Sequence, residues 1–326
     1  MTTPSVVTPT HSLVVPVYGN AEGIDALVAA VRALADALGG DLEAVFVVDG
    51  SPDDSLARLR DALPASGLDA QLIALARNFG AFAAIRAGLG VARGKAIAVM
   101  AADLQEPPEL ALAFFEALRA DRCDVAFGQR TARADPGASK LASRVFWGLY
   151  RRLVMRDVPA GGVDIFGLSA RFRDELLRLG ESNSSLLAQL FWLGGRRLFV
   201  PYARRAREHG VSAWTLRKKL RYLADSVFAF TDLPVRLLTV IGALGLAVAT
   251  LAGLAVLGAR LSGVIDVPGY AATMLAVMFF GALNTLGIGL VGTYAWRAYE
   301  NSKQRPLAIV QSVEAFGGRE GGAPGP

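Results

Sequence analysis

The sequence predicts a mostly parallel α/β domain that is followed by two membrane-spanning helices. Short apolar runs alternate with helical segments through the N-terminal part of the chain, which is typical of a sheet covered by helices on both faces. Two long apolar spans without charged residues lie near the C-terminal end. Within the alternating part, the segment IAVMAADLQEPPEL (97–110) passes abruptly from a buried run to acidic and amide side chains.

The composition supports a membrane protein and argues against a nucleic-acid partner. Of the 326 residues, 53% are hydrophobic and the mean hydropathy is +0.38, with the excess concentrated after residue 234. Lys and Arg number 34 against 29 Asp and Glu, and a net charge of +5 is too weak to indicate nucleic-acid binding. The single cysteine, Cys123, excludes an internal disulfide and fits a reducing compartment.

Strands and helices alternate from the first apolar run onwards. Ser12–Val17 is an apolar run that ends in a loop, and the apolar positions of Gly23–Leu38 recur at helical spacing until a glycine pair ends the helix. Leu42–Val48 is a second strand, closed by the turn residues Asp-Gly-Ser-Pro. The same patterns predict strands over Gln71–Ala76, Lys95–Met100 and Asp124–Gly128, and helices over Leu56–Leu63, Ala81–Ala92 and Glu109–Ala120.

The alternation weakens after the fifth strand. Trp214–Leu233 has an apolar stripe flanked by cations, which suits either a helix lying on anionic lipid or a helix packed against the sheet. The other elements expected here are a basic and aromatic helix over Ser139–Val154, strands over Gly161–Ser169 and Arg196–Tyr202, and helices over Arg171–Leu179 and Ser184–Leu193.

The two apolar spans are Leu237–Ala259 and Ala271–Tyr294. Each is about 23 residues long, enough to cross a hydrocarbon core of roughly 30 Å, and we favour this interpretation over two buried core helices. Their small residues permit close helix packing, including contacts between copies of the chain. Cations flank the outer ends of both spans, so the positive-inside rule places both termini in the cytosol. We expect the protein to lie in the inner (cytoplasmic) membrane.

These patterns divide the chain into five parts. They are a disordered N-terminus (1–10), an α/β domain (11–210), an amphipathic juxtamembrane helix (211–234), a two-helix transmembrane domain (235–297) and a cytosolic tail (298–326). The N-terminus lacks the basic and apolar regions of a signal peptide, so we expect the α/β domain to remain in the cytosol. The last residues have the composition of a disordered segment.

Candidate ligand-binding residues follow the second, third and fourth strands, at the edge where open α/β sheets bind ligands. Asp103 and Gln105 lie two residues apart, and two oxygen ligands so placed suit a hard divalent cation that bridges a diphosphate. The carboxylate of Asp49 can accept hydrogen bonds from a base or a ribose hydroxyl. Arg77 can contact phosphate, or it belongs to an ordinary surface loop.

Further candidates follow the fifth strand. Arg130 and Arg133 suit bidentate contacts to phosphate. Asp164 is an acid among apolar residues and would be costly to bury without a partner or a role. Polar and cationic residues also cluster just before the membrane spans, where a lipid phosphate would lie: Arg204, Arg207, His209, Ser212 and Lys218.

Five motifs in this order resemble family 2 glycosyltransferases of the GT-A fold, and most of all the polyprenyl-phosphate branch that includes dolichyl-phosphate mannose synthases. The motifs are Val-Val-Pro-Val-Tyr (14–18), Val-Asp-Gly-Ser (48–51), Ala-Arg-Asn-Phe-Gly (76–80), Ala-Ala-Ile-Arg-Ala-Gly-Leu (83–89) and Ala-Asp-Leu-Gln-Glu-Pro-Pro-Glu (102–109). The resemblance covers about residues 11–300 and implies a Rossmann-like catalytic domain anchored by two C-terminal transmembrane helices.

The resemblance implies how the donor would be held. Pro16, Tyr18 and Asp49 would bind the nucleotide, and Asp103 and Gln105 would bind Mg²⁺ or Mn²⁺ on the donor diphosphate. Arg77 is grouped with them as a further donor contact.

The resemblance also implies roles at the reacting centre. Arg130 and Arg133 would meet phosphates, Asp164 matches the family's acid near the reacting centre, and Ser212 matches the serine of its Gly-x-Ser-Lys-Tyr stretch. We expect Asp164, Asp103 and Arg130 to take part in catalysis. The acceptor phosphate would meet Arg204, Arg207, Ser212 and Lys218.

Several positions depart from the family pattern. Ala101 replaces the first acid of the usual Asp-x-Asp, which should weaken metal binding. Val48 replaces the first acid of Asp-Asp-Gly-Ser, while Ala213 and Trp214 replace the usual Lys and Tyr.

We therefore predict a membrane-bound, inverting hexosyltransferase of cell-envelope glycan synthesis. It would transfer a sugar from a nucleotide sugar to undecaprenyl or dolichyl phosphate. Two alternatives stay open: transfer to another lipid-linked or saccharide acceptor, and an inactive nucleotide-sugar-binding scaffold in a glycan-assembly complex, which Ala101 motivates.

Overall fold

The chain folds into strands and helices close to those predicted. The computed structural model describes residues 9–132, 147–159, 163–204, 216–262 and 270–317. The strands are His11–Val17 (β1), Leu42–Val48 (β2), Asp69–Leu75 (β3), Ala96–Val99 (β4), Val125–Ala132 (β5), Val163–Ser169 (β6), Arg197–Ala203 (β7) and Val310–Phe316 (β8). The helices are Ile24–Ala37 (α1), Ser55–Ser66 (α2), Ala81–Val91 (α3), Glu109–Arg119 (α4), 147–153 (α5), Ala170–Arg178 (α6), Leu186–Trp192 (α7), Leu216–Phe230 (α8), Leu233–Leu261 (α9) and Tyr270–Ser302 (α10).

Within the described residues, the eight strands form one sheet in the order β7-β5-β6-β4-β1-β2-β3-β8. The pairs β1–β2, β2–β3, β1–β4 and β5–β7 are parallel, whereas β6 and β8 run antiparallel to their neighbours. This arrangement confirms the predicted mostly parallel α/β fold. From β1 the chain builds the sheet in one direction, through β2 and β3. It then adds β4 on the other side of β1, which creates a topological switch point between β1 and β4.

The core of the sheet follows from the apolar runs of the sequence. All seven residues of β2 are buried, as expected for a parallel strand covered on both faces. One of them is Glu43, whose carboxylate accepts hydrogen bonds from Ser12 Oγ (2.5 Å), Gln71 Nε2 (2.6 Å) and the backbone N–H of Arg93 (2.8 Å). The guanidinium of Arg93 pairs with the buried charge, its Nε lying 2.5 Å from Glu43 Oε1, and the other bonds join β1, β2 and β3 near their amino ends.

The sequence pattern does not predict the last strand. It places Val310–Phe316 in a cytosolic tail, whereas in the structure this segment forms β8 and pairs with β3 along the sheet edge. Arg60 Nη2 lies 2.6 Å from Glu314 Oε1, and Phe316 packs against the hydrophobic core. Gly317 then turns with a φ of +64°, at a point where a Cβ would lie 2.2 Å from the carbonyl oxygen of Leu68.

The second compact unit of the chain, Leu220–Gln304, contains the two apolar helices. Among the described residues, α9 and α10 are long and apolar enough to cross a membrane, over Leu233–Ala255 and Ala276–Ser302. In each segment, the most apolar stretch has no buried residues, so α9 and α10 are not core helices. Asp225 of α8 accepts a hydrogen bond from Arg297 of α10 at 2.7 Å, and so α8 packs against α10.

Some predicted segments lie outside the described residues. They are residues 1–8 of the N-terminus, the first part of the Ser139–Val154 helix and the last residues, 318–326.

The loops after β1 and β2 are held together by Asp53. Its carboxylate accepts hydrogen bonds from the backbone N–H of Ala21 (2.9 Å) and from the hydroxyls of Ser51 and Ser55 (both 2.6 Å). Partial burial raises the pKa of Asp53, but these hydrogen bonds outweigh it and lower the pKa to about 2. The helix α2 begins two residues later, at Ser55, and its dipole favours a carboxylate at this end, which acts in the same direction.

We expect β8 to be required for a stable domain. Ending the chain after Gln304 should lower the midpoint of thermal unfolding by about 5–10 °C, because the edge of β3 and the packing of Phe316 are lost. The matched control ends the chain after Gly317 and should change the midpoint by less than about 1 °C. Equal midpoints for the two truncations would contradict a structural role for β8.

We expect Asp53→Asn to reduce stability in a pH-dependent way. A lowered pKa contributes stability that is complete above the unfolded-state pKa of about 4 and is lost as the pH falls towards 2. After allowance for solvent exposure, the loss at pH 7 should be about 1 kcal/mol. Thermal unfolding at pH 7 and pH 3, with the exposed neighbour variant Asp54→Asn as control, would show a difference that shrinks at the lower pH.

Candidate active site

The polar side chains predicted to bind ligands converge at one edge of the sheet, the carboxyl edge. We use this name for the loops that follow β1, β2, β3, β4, β5 and β7, together with the start of β6, which enters the sheet from the same side. The strands β1 and β2 end together, with Val17 opposite Val48, and β4 ends at Val99, opposite Val14 of β1. The side chains that follow these strands are therefore neighbours.

A side-chain amide bridges the switch point between β1 and β4. Asn20 Nδ2 donates to the carbonyl oxygen of Ala102 at 3.1 Å. Tyr18 lies two residues before it, with 49% of its surface exposed, and Pro16 is half-buried within β1. Tyr18 is the first residue after β1, so it lies at the carboxyl edge. The sequence analysis missed Asn20, although a polar residue directly after the Pro-Val-Tyr-Gly turn is a usable signal.

Asp49 organises the loop after β3. It is only 3% exposed, and its two carboxylate oxygens accept hydrogen bonds from the backbone N–H groups of Phe79 (2.7 Å) and Gly80 (2.8 Å). Gly50 has a φ of +54°, and a Cβ there would lie 2.3 Å from the backbone of Arg77. The loops after β2 and β3 therefore touch through their backbones, and Asp49 fixes the entry of α3.

Arg77 is exposed on the loop that Asp49 positions. Its guanidinium lies 4.0 Å from the centroid of the Phe79 ring and donates to the carbonyl oxygen of Asn78 at 3.2 Å. Stacking on an aromatic ring restricts the arginine while leaving N–H groups at its rim for an anion.

The loop after β4 has a constrained backbone. Leu104 has a φ of +52°, a left-handed conformation that costs about 1–2 kcal/mol for a residue with a side chain. Its side chain packs against the core, which offsets this cost. Asp103, before it, is half-buried and accepts a hydrogen bond from the backbone N–H of Gln105 at 3.3 Å. The loop thus fixes the spacing of Asp103 and Gln105.

Arg204 connects the end of β7 to this loop. Its Nη2 donates a short hydrogen bond to Gln105 Oε1, and its Nε lies 3.4 Å from Glu106 Oε1. Gln105 is 8% exposed and Glu106 is 2% exposed, so both groups are held inside the protein. The sequence analysis placed Arg204 at the acceptor phosphate and did not select Glu106, although an acid beside a buried strand needs a partner.

The residues fit a divalent cation only in part. The Asp103 carboxylate has the chemistry that Mg²⁺ or Mn²⁺ prefers. Gln105 fits poorly, because a fixed guanidinium already lies against the oxygen that would bind the metal. Among the described residues, no three His, Cys, Asp or Glu side chains are placed to hold a metal ion together.

The remaining candidates lie further along the carboxyl edge. Arg130 is half-buried near the end of β5, opposite Tyr202 of β7. Val163 lies opposite Gln129, so the next residue of β6, Asp164, is at the same edge. Lys218 belongs to the first turn of α8. Arg133, Arg207, His209 and Ser212 lie outside the described residues.

Comparison with known proteins identifies the family of the chain. Residues 12–179, which include β1 to β6 and α6, match the model of the family described as glycosyl transferase family 2. Three relatives are similar over nearly their whole length. An uncharacterized glycosyltransferase, YkcC, of Bacillus subtilis is 31% identical over 92% of this chain and 93% of its own.

The other two relatives have names that specify an acceptor. The undecaprenyl-phosphate 4-deoxy-4-formamido-L-arabinose transferase of Edwardsiella ictaluri is 32% identical over 93% of both chains. The bactoprenol glucosyl transferase of Shigella phage SfV is 29% identical over 92% of this chain and 98% of its own. The chain therefore belongs to glycosyl transferase family 2.

Proposed function

We propose that this protein transfers a sugar from a nucleotide sugar to a polyprenyl phosphate at the cytosolic face of the inner membrane. Two similar proteins are named for transfer involving undecaprenyl phosphate and bactoprenol. The similarity to both extends over nine-tenths of the chain, beyond the family domain and into the region of the apolar helices. A lipid acceptor fits a chain with two helices of membrane-spanning length.

The observation that carries the proposal is an unbroken row of hydrogen-bonded loops at the carboxyl edge. Asn20 joins the loop of β1 to the loop of β4. Asp53 joins the loop of β2 to the loop of β1, and Asp49 joins the loop of β2 to the loop of β3. Arg204 joins the loop of β4 to the end of β7. The loops next to the switch point are thus fixed relative to one another, and such pre-organisation is what the positioning of two reactants requires.

The reaction needs little acid–base chemistry. An oxygen of the lipid phosphate, already anionic, attacks the anomeric carbon of the sugar and forms the new C–O bond. The bond from that carbon to the donor diphosphate breaks, and its electron pair leaves with the nucleoside diphosphate. Attack from the opposite side inverts the configuration. Catalysis then rests on orientation and on stabilising the negative charge of the leaving group.

Residues of the carboxyl edge are assigned to these tasks. Tyr18 and Pro16 contact the nucleotide, and Asp49 shapes the loop around it. Arg77, Arg130 and Arg133 neutralise donor phosphates through N–H donors.

The acceptor is assigned to the other end of the site. Asp164 orients the reacting groups, while Arg207, Ser212 and Lys218 receive the lipid phosphate. A divalent cation, Mg²⁺ or Mn²⁺, held by Asp103 together with donor phosphate oxygens, would add positive charge next to the leaving group.

A donor-by-acceptor screen tests this proposal. Membranes containing the protein are incubated with labelled nucleotide sugars, with and without polyprenyl phosphate, a saccharide acceptor and a chelator. A mild-acid-labile glycolipid that requires polyprenyl phosphate is the expected product. Labelling of a saccharide acceptor alone would favour the first alternative function, and donor binding without any product would favour an inactive scaffold.

We expect Asp103→Ala to lose transfer by at least about a hundredfold, the scale of removing one group that stabilises developing charge. Initial rates of glycolipid formation at saturating acceptor would measure this loss. Asp25→Ala, which removes an exposed carboxylate from α1, should keep the normal rate. Near-normal turnover of the Asp103 variant would remove this residue from the proposed site.

A further inference from the structure

Arg204 is the one charged group that the described structure brings from β7 onto the β4 loop. Its guanidinium contacts two buried groups in succession, the amide oxygen of Gln105 and the carboxylate of Glu106. Its side chain is 32% exposed, so the contact is shielded from water on most sides. The β4 loop and the end of β7, separated by 99 positions from Gln105 to Arg204, are thereby joined at the site.

The charge of Arg204 opposes a metal ion at Gln105. An arginine in a protein keeps its positive charge at every accessible pH. A divalent cation on the same amide oxygen would lie within about 5 Å of that charge, and their repulsion is weakened only by partial solvent screening. Glu106 cannot easily replace Gln105 as a ligand, because its carboxylate pairs with the same guanidinium.

The neighbouring sequence supports the same conclusion. Residue 101 is an alanine, so the start of the β4 loop offers a cation no carboxylate ahead of Asp103. The alanine and the arginine contact both limit the affinity of the loop for a cation.

We propose that Arg204 is a positioning residue that keeps Gln105 and Glu106 out of metal coordination, leaving Asp103 as the ligand that the β4 loop offers to a divalent cation. The cation is then held mainly by the donor diphosphate. This inference deepens the proposed function, since it names how the same site treats its metal, but its test uses neither sugar donor nor lipid acceptor.

Binding of Mn²⁺ to the full-length, detergent-purified protein, measured by the loss of the free-ion EPR signal, tests the proposal. Arg204→Gln should bind Mn²⁺ at least about tenfold more tightly than the native protein, because one repelling charge is gone. Arg119→Gln removes an exposed arginine at the far end of α4 and should change the affinity by less than about twofold. Adding Asp103→Asn to Arg204→Gln should abolish the gain.

A second variant, Gln105→Met, is used if Arg204→Gln fails to fold. This change removes the amide oxygen. We expect the affinity for Mn²⁺ to stay unchanged, because that oxygen is not a ligand. A loss of more than about fivefold in Gln105→Met would overturn the proposal, as would an unchanged or weaker affinity in folded Arg204→Gln. Since no transfer is measured, these outcomes are independent of whether the protein glycosylates polyprenyl phosphate.

Discussion

The buried carboxylate of Asp49 is the interaction on which the site depends. The parallel strands end at one edge, but nothing in a parallel sheet holds their loops at fixed positions. Asp49 supplies that restraint by accepting two backbone N–H groups of the β3 loop, at 2.7 and 2.8 Å, from a position that is 3% exposed. Water competes poorly for a group so buried, so the hydrogen bonds are strong and the loop is held in one arrangement.

Charge is distributed unevenly around this framework. On the β4 loop, Asp103 is half-buried whereas Gln105 and Glu106 are enclosed and in contact with Arg204. A buried ion pair is rarely a large source of stability, but it fixes the position of both partners. The pair between Arg204 and Glu106 fixes the end of β7 against the β4 loop at the switch point. Gln105 and Glu106 thereby hold the shape of the loop that carries Asp103.

The chain closes its own sheet after the apolar helices. β8 covers the edge of β3, and Arg60 contacts Glu314 across 254 residues of sequence. An uncovered parallel strand would present unpaired backbone groups to other chains. Because the covering strand comes from the segment that follows α10, the sheet that contains the site is complete only after both apolar helices have been made.

The sequence by itself determined the fold class, the five strands and four helices of the first half and the two membrane-length helices, because their apolar patterns are local and strong. It also selected the residues of the carboxyl edge, since parallel strands bring their ends together. It did not reveal β8, whose short run becomes a strand only beside β3. Nor did it reveal that Asp49 is enclosed, or that Arg204 meets Gln105. Those outcomes depend on which distant segments become neighbours, and only the tertiary structure decided them.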